Sequence, residues 1–134
     1  MPGIETQIWL ALRQRIETLP GGLPFAWPAS VYQPGADAYL AVGRVTITPQ
    51  RVFVAAGPHE RTGTLIITHV APLGQDVDVY DEAAAQIAGH FPEDLCMAYQ
   101  SVRVRVVSAP HVMDGFRENG WWRTPVVIRW RCAA

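Results

Sequence analysis

The sequence predicts a single α+β domain, an antiparallel or mixed β-sheet with two helices packed on it. Three observations carry this reading: two segments with apolar residues at helical spacing, several runs that alternate with a period of two, and an Asn-Gly pair between two such runs. At 134 residues the chain is long enough for one core and too short for two, so the domain is taken to span residues 1–134.

The first helix is set by Ile4, Ile8, Leu12, Ile16 and Leu19, spaced by four and three, with Glu5, Gln7, Arg13, Gln14 and Glu17 filling the remainder. This gives an amphipathic helix over about residues 3–19 with one stripe to bury. Pro20 disfavours helical geometry in the residue before it, and Gly21-Gly22 lets the chain turn. Residues 20–37 are rich in proline and glycine yet hold Phe25, Trp27, Val31 and Tyr32, which reads as an extended, packed arm.

Tyr39 to Ile47 reads as a strand, with Tyr39, Ala41, Val45 and Ile47 on one side and Arg44, Thr46 and Thr48 on a partly wet opposite side. Val52-Phe53-Val54 continues it after a break at Thr48-Pro49-Gln50-Arg51. Residues 57–63 form a polar, glycine-bounded loop, a candidate finger, before a second strand from Thr64 to Val70. Asp76 is placed to accept hydrogen bonds at the start of a second helix, about residues 77–91, with Val77, Tyr80, Ala84, Ile87 and Phe91 turned inward. Asp78, Asp81 and Glu82 lie near the positive end of that helix dipole, and Pro92 ends it.

The last third is strands. Val102, Val104 and Val106 alternate with Arg103 and Arg105, while Val126, Ile128, Trp130 and Cys132 alternate with Val127, Arg129 and Arg131. Asn119-Gly120 predicts a two-residue hairpin of type I′, because that turn needs positive φ at both central positions. The resulting register pairs Glu118 with Trp121, Arg117 with Trp122 and Phe116 with Arg123, the last a candidate cation–π contact. Trp121 then shares a face with Arg123, Arg129 and Arg131, and Trp122 lies on the opposite, apolar face.

Composition narrows the function. Hydrophobic residues make up 49% and charged residues 17%, with a net charge of −1 from 11 basic and 12 acidic side chains. Such a chain folds, but it has no long-range field to gather phosphates. Every basic residue is arginine, the better interface residue. Cys96 and Cys132 form no C-x-x-C, which fits a reducing, cytoplasmic origin. Glu5 stands where a secretory signal carries positive charge, and four prolines break the uncharged run of residues 18–36, so neither an export signal nor a membrane anchor is expected.

Catalytic and cofactor motifs are missing. His59, His69, His90 and His111 are scattered through different elements, so no metal site is expected. His59-Glu60 begins like a zincin motif but has Gly63 where the second histidine belongs, and His90 reads as a helix-dipole partner. The serines lack a nucleophile elbow, and neither Walker A nor G-x-G-x-x-G occurs. No cofactor-binding residue is expected, and nothing positive supports an enzyme. The face carrying Arg103, Arg105, Arg129 and Arg131, with Trp121 as a stacking platform, reads as the wet side of a sheet, as a protein interface, or as a nucleic-acid or small-ligand binding module.

The order of short motifs adds a resemblance. Ile4-Glu5-Thr6-Gln7-Ile8, Leu23-Pro24-Phe25-Ala26-Trp27-Pro28, Tyr39-Leu40-Ala41-Val42, Arg61-Thr62-Gly63-Thr64-Leu65, Ala71-Pro72-Leu73-Gly74, Ala88-Gly89-His90-Phe91-Pro92 and Gly120-Trp121-Trp122-Arg123-Thr124-Pro125-Val126 together resemble the tail terminator-like proteins of tailed bacteriophages, over nearly the whole chain. Where members of that family commonly place a residue such as Asn after Trp-Pro, this chain has Ala29. The resemblance implies a structural virion protein without catalysis, assembled in the host cytoplasm. It implies a ring, typically a homohexamer, on the head-proximal end of the tail tube, where it stops tube growth and meets head-completion or connector proteins. DNA is then expected to slide through the lumen without specific binding. The candidate contact surfaces are the 49–62 loop with Arg51, His59, Glu60 and Arg61, the proline-rich arm, and the arginine side of the final strands with Arg103, Arg105, Trp121, Arg123, Arg129 and Arg131.

Overall fold

The two longest alternating runs of the sequence pair with each other along their whole length. The computed structural model describes residues 3–35, 37–51 and 59–133. Strand β4 (His59–Pro72) lies antiparallel to β9 (Trp121–Ala133), from Glu60 opposite Ala133 to Pro72 opposite Trp121. The outer edge of β4 is paired by β2 (Tyr39–Val42) and β3 (Thr46–Arg51), and β1 (Phe25–Ala26) adds parallel to β2. The outer edge of β9 is paired in turn by β6 (Val102–Val106), β7 (His111–Val112) and β8 (Phe116–Glu118), with β5 (Cys96–Tyr99) beyond β6. Helices α1 (Ile4–Glu17) and α2 (Val77–His90) pack on one face of this mixed sheet, so the chain is the single α+β domain the sequence predicts.

The core collects the apolar side chains of one parity from each long strand. Leu65 and Ile67 of β4 meet Val126, Ile128, Trp130 and Cys132 of β9 and Val102, Val104 and Val106 of β6. Ile8, Leu12 and Ile16 of α1 and Ala84 and Ile87 of α2, with Phe91, close over them. Removing these side chains from water is the main favourable term for the domain. The helix ends are tied together: Arg15 Nε and Nη2 donate to the His90 carbonyl at 3.0 and 2.8 Å, supplying a partner for a carbonyl that helix termini leave unpaired.

Several local expectations change. Residues 39–47 are not one strand: Gly43, Arg44 and Val45 stand opposite only Ile66 and Leu65, a bulge that shifts the side-chain parity by one. Leu40 and Val42 therefore enter the core before the bulge and Val45 and Ile47 pack against it afterwards, while Tyr39 turns to the other face. The expected break at residues 48–51 is strand, since among the described residues β3 pairs only with β4 and an edge strand tolerates Pro49. The expected loop at 57–63 is strand from His59 onward, held between β3 and β9. Val52-Phe53-Val54, Gly57 and Pro58 lie outside the described residues.

Val77, the first residue of α2, is 60% exposed rather than inward, while Tyr80, Ala84 and Ile87 of that helix are buried. Asp76 sits at the N-cap of α2, but its side chain makes no capping hydrogen bond; the Val79 amide bonds the Asp76 carbonyl instead. Gln7, assigned to the wet side of α1, is 1% exposed, and its Oε1 accepts from Ser101 N at 3.0 Å and Ser101 Oγ at 2.8 Å.

The arm packs through Phe25 and Trp27, which are in contact, with Trp9 edge-on to Trp27 and the Arg13 guanidinium 4.4 Å from the Trp27 ring centre, and through Tyr32 against Tyr39, but Val31, expected to pack with them, is 92% exposed. Its turn explains the place of Ala29. Trp27 O accepts from Ser30 N at 3.2 Å across Pro28 and Ala29, and Ala29 has φ +63°. Proline followed by a left-handed residue is a type II turn, whose third position favours Gly or Asn. Ala29→Asn is therefore expected to raise stability by about 0.5–1 kcal/mol, read as a higher urea midpoint. A lowered midpoint contradicts the turn assignment.

Candidate assembly surface

The face of the sheet turned away from the helices carries the side chains of opposite parity. In β4 these are Glu60, Thr62, Thr64 and Ile66, and in β9 Arg131, Arg129 and Val127 stand beside them. β6 continues the row with Arg105, directly opposite Arg131, and with Arg103. All four of these arginines are exposed, and Glu60, Arg103, Arg105 and Arg131 line a depression of about 430 Å³. Among the described residues, none of the four makes an ion pair. Like charges facing each other across a ladder destabilise it, so this end of the sheet carries a cost that an anionic partner would relieve.

The structure does not bring every candidate to this patch. Arg51 and His59 close the β3–β4 ladder, where the backbone alone is described. Arg61 points to the helix side and meets Glu5 of α1 at 3.3 Å. Arg123 stands opposite Phe116, as the hairpin register requires, and its Nε lies 3.4 Å from Glu118 Oε1. The turn itself matches expectation, with φ +51° at Asn119 and +82° at Gly120.

Trp121 departs from its expected role as a stacking platform. It shares a face with the arginines but sits ten positions from Arg131 on β9, roughly 33 Å at strand rise. Its ring packs edge-on against Tyr39, which in turn contacts Tyr32. The combined Arg and Trp surface of a nucleic-acid module is therefore split between opposite ends of the sheet.

The remaining titratable groups have structural surroundings. His69 is buried, its Nδ1 has no hydrogen-bond partner among the described residues, and burial lowers its pKa. It edges a small cavity of about 200 Å³ with Leu19, Leu23, Leu40 and Ile87. His90 Nε2 lies 2.7 Å from Thr18 Oγ1 and 3.0 Å from the Arg15 carbonyl; burial lowers its pKa, so it serves as a neutral bridge between helix ends more than as a charged dipole partner. His111 is exposed on β7. Cys96 and Cys132 are free thiols, and burial pushes the Cys132 thiol up. Among the described residues, no group of three or more His, Cys, Asp or Glu side chains gathers at metal-binding range, and no helix is long and apolar enough to cross a membrane.

A sheet with both helices on one face and arginines exposed along part of the other defines a small α+β domain. The chain belongs to the phage tail terminator protein family, whose model matches residues 7–130. That membership makes it a structural, non-enzymatic protein and a component of the virion tail. One solved chain, whose name states no function, is similar at 22% identity with a TM-score of 0.79, covering 98% of both chains. A chain from the virion of a native gene transfer agent particle is similar at 12% identity and a TM-score of 0.60, covering 98% of this chain and 95% of that one. Both likenesses concern the fold. A comparison with curated proteins finds no match.

Proposed function

We propose that the protein closes the head-proximal end of a phage tail tube as a ring of identical subunits, six by analogy with the tail terminators it resembles. Family membership over residues 7–130 is the observation that carries this reading. The shared fold with a chain of a gene transfer agent virion supports it, because that chain is part of a virion. In this role the ring caps the last layer of tube protein, stops its growth, and offers its other surface to a head-completion or connector protein. A ring needs one patch of each subunit to meet a different patch of the next, with a rotation that closes. The open sheet face and the helix-covered face supply two unlike surfaces. The net charge of −1 is compatible with DNA sliding through the lumen, since strong phosphate attraction would hold it in place.

Assembling tails with the gene deleted tests this role. Without the protein, tubes are expected to vary in length and to fail to join heads; adding it back should restore a uniform length and a ring at one end in cryo-electron micrographs. Tails of normal length and normal head attachment in its absence would remove the proposed role.

A further inference from the structure

The arginine patch leaves open what it docks against. Its four guanidinium groups lie at the Ala133 end of the long β4–β9 ladder. The opposite end carries the reverse charge. There the first turns of α2 expose Asp76, Asp78, Asp81 and Glu82, and Val77 lines a cleft with Trp122 and Arg117. Among the described residues, none of these four carboxylates makes an ion pair, and Asp76 makes no capping hydrogen bond.

We infer that the sheet face bearing Arg103, Arg105, Arg129 and Arg131 docks the acidic first turns of α2 from a second copy of this chain, giving the head-to-tail contact of the ring. This rests on the ring proposed above. Charge complementarity selects the occupant: four unpaired cations at one end of the subunit match four unpaired anions at the other, within a chain of net charge −1. Two different patches on one subunit are what a heterologous contact requires, and the ring closes when the rotation between copies does. Each patch also has aliphatic neighbours that a partner would cover. Val77 and Val79 are 60% and 49% exposed among the carboxylates, and Ile66 and Val107 are exposed near Arg129. DNA is the poorer occupant, because the stacking ring of Trp121 lies far from the arginines and against Tyr39.

A charge-swap experiment tests the contact. Arg105→Glu with Arg131→Glu makes one variant; Asp78→Arg with Asp81→Arg makes the other. All four positions are exposed, so both variants are expected to keep the wild-type circular dichroism, the second melting a few degrees lower because it puts positive charge at the N-terminal end of α2. Ring formation on tail tubes, scored by electron microscopy, should weaken about tenfold or more for either variant alone. An equal mixture should recover it through alternating copies, and one chain carrying all four substitutions should recover it as well.

If both variants cap tubes as the wild type does, or if neither the mixture nor the four-substitution chain recovers, the contact is wrong while the ring stands. If the wild-type control forms no ring, the ring reading itself fails and this contact with it. If the arginine variant still forms rings but loses binding to a poly(dT) oligonucleotide, the patch faces nucleic acid and the inference is overturned.

Discussion

Gly63→Ala is expected to destabilise the protein by about 3 kcal/mol, the upper end for forcing one extra carbon into a packed interior. Gly63 lies in the middle of β4, between Ile47 of β3 and Trp130 of β9. Its core-side hydrogen faces the Trp130 indole, which is 1% exposed, and a Cβ there would stand 2.6 Å from Trp130 Cζ2 and closer still to the Thr46 carbonyl oxygen. The ring could turn aside only by opening a cavity, and Thr46 is backbone that β4 holds in register. In thermal unfolding the change should appear as a fall of roughly 10 °C for a domain of this size. Adding Trp130→Phe should recover only part of it, because the backbone contact remains. A Gly63→Ala protein that melts within about 2 °C of wild type would contradict this packing.

Gln7→Ala should cost about 2–3 kcal/mol, combining a lost buried amide with the cavity left behind. Gln7 Oε1 takes both the backbone N–H and the hydroxyl of Ser101, joining α1 to the tight β5–β6 turn, where Gln100 holds φ +49°. Losing that acceptor should loosen the hairpin before the rest of the sheet. Hydrogen exchange at the amides of β5 should therefore accelerate more than at those of β4. In a double-mutant cycle, Gln7→Ala and Ser101→Ala should couple, since they remove the same bond. Additive effects would show that the two side chains act independently.

The same contact explains why β5 was not legible. Its turn, Gln100-Ser101, has none of the Gly, Asn or Asp that mark a hairpin, and the strand Cys96–Tyr99 is short. The hairpin at Asn119-Gly120 was legible because the positive φ it requires is written into the residue types themselves. Gly63 misled for a related reason. Glycine beside polar residues usually means a turn, whereas here it clears space for a tryptophan 67 positions later in the chain. The candidate surface divides in the same way: alternation placed Arg103, Arg105, Arg129 and Arg131 on one wet face, but only the β6–β9 register set Arg105 against Arg131 and left Trp121 at the far end.

Read alone, the sequence determined what local periodicity and turn chemistry control. It determined the two helices, the inward parity of β6 and β9, the hairpin register at residues 116–123, and through the order of its motifs the family. Tertiary structure decided the rest. The bulge at residues 43–45, the burial of Gln7, the strand through residues 59–63 and the separation of charged ends all depend on partners distant in the chain. Such contacts leave no local signal, because the free energy that fixes them comes from packing and hydrogen bonds made only once the strands have met.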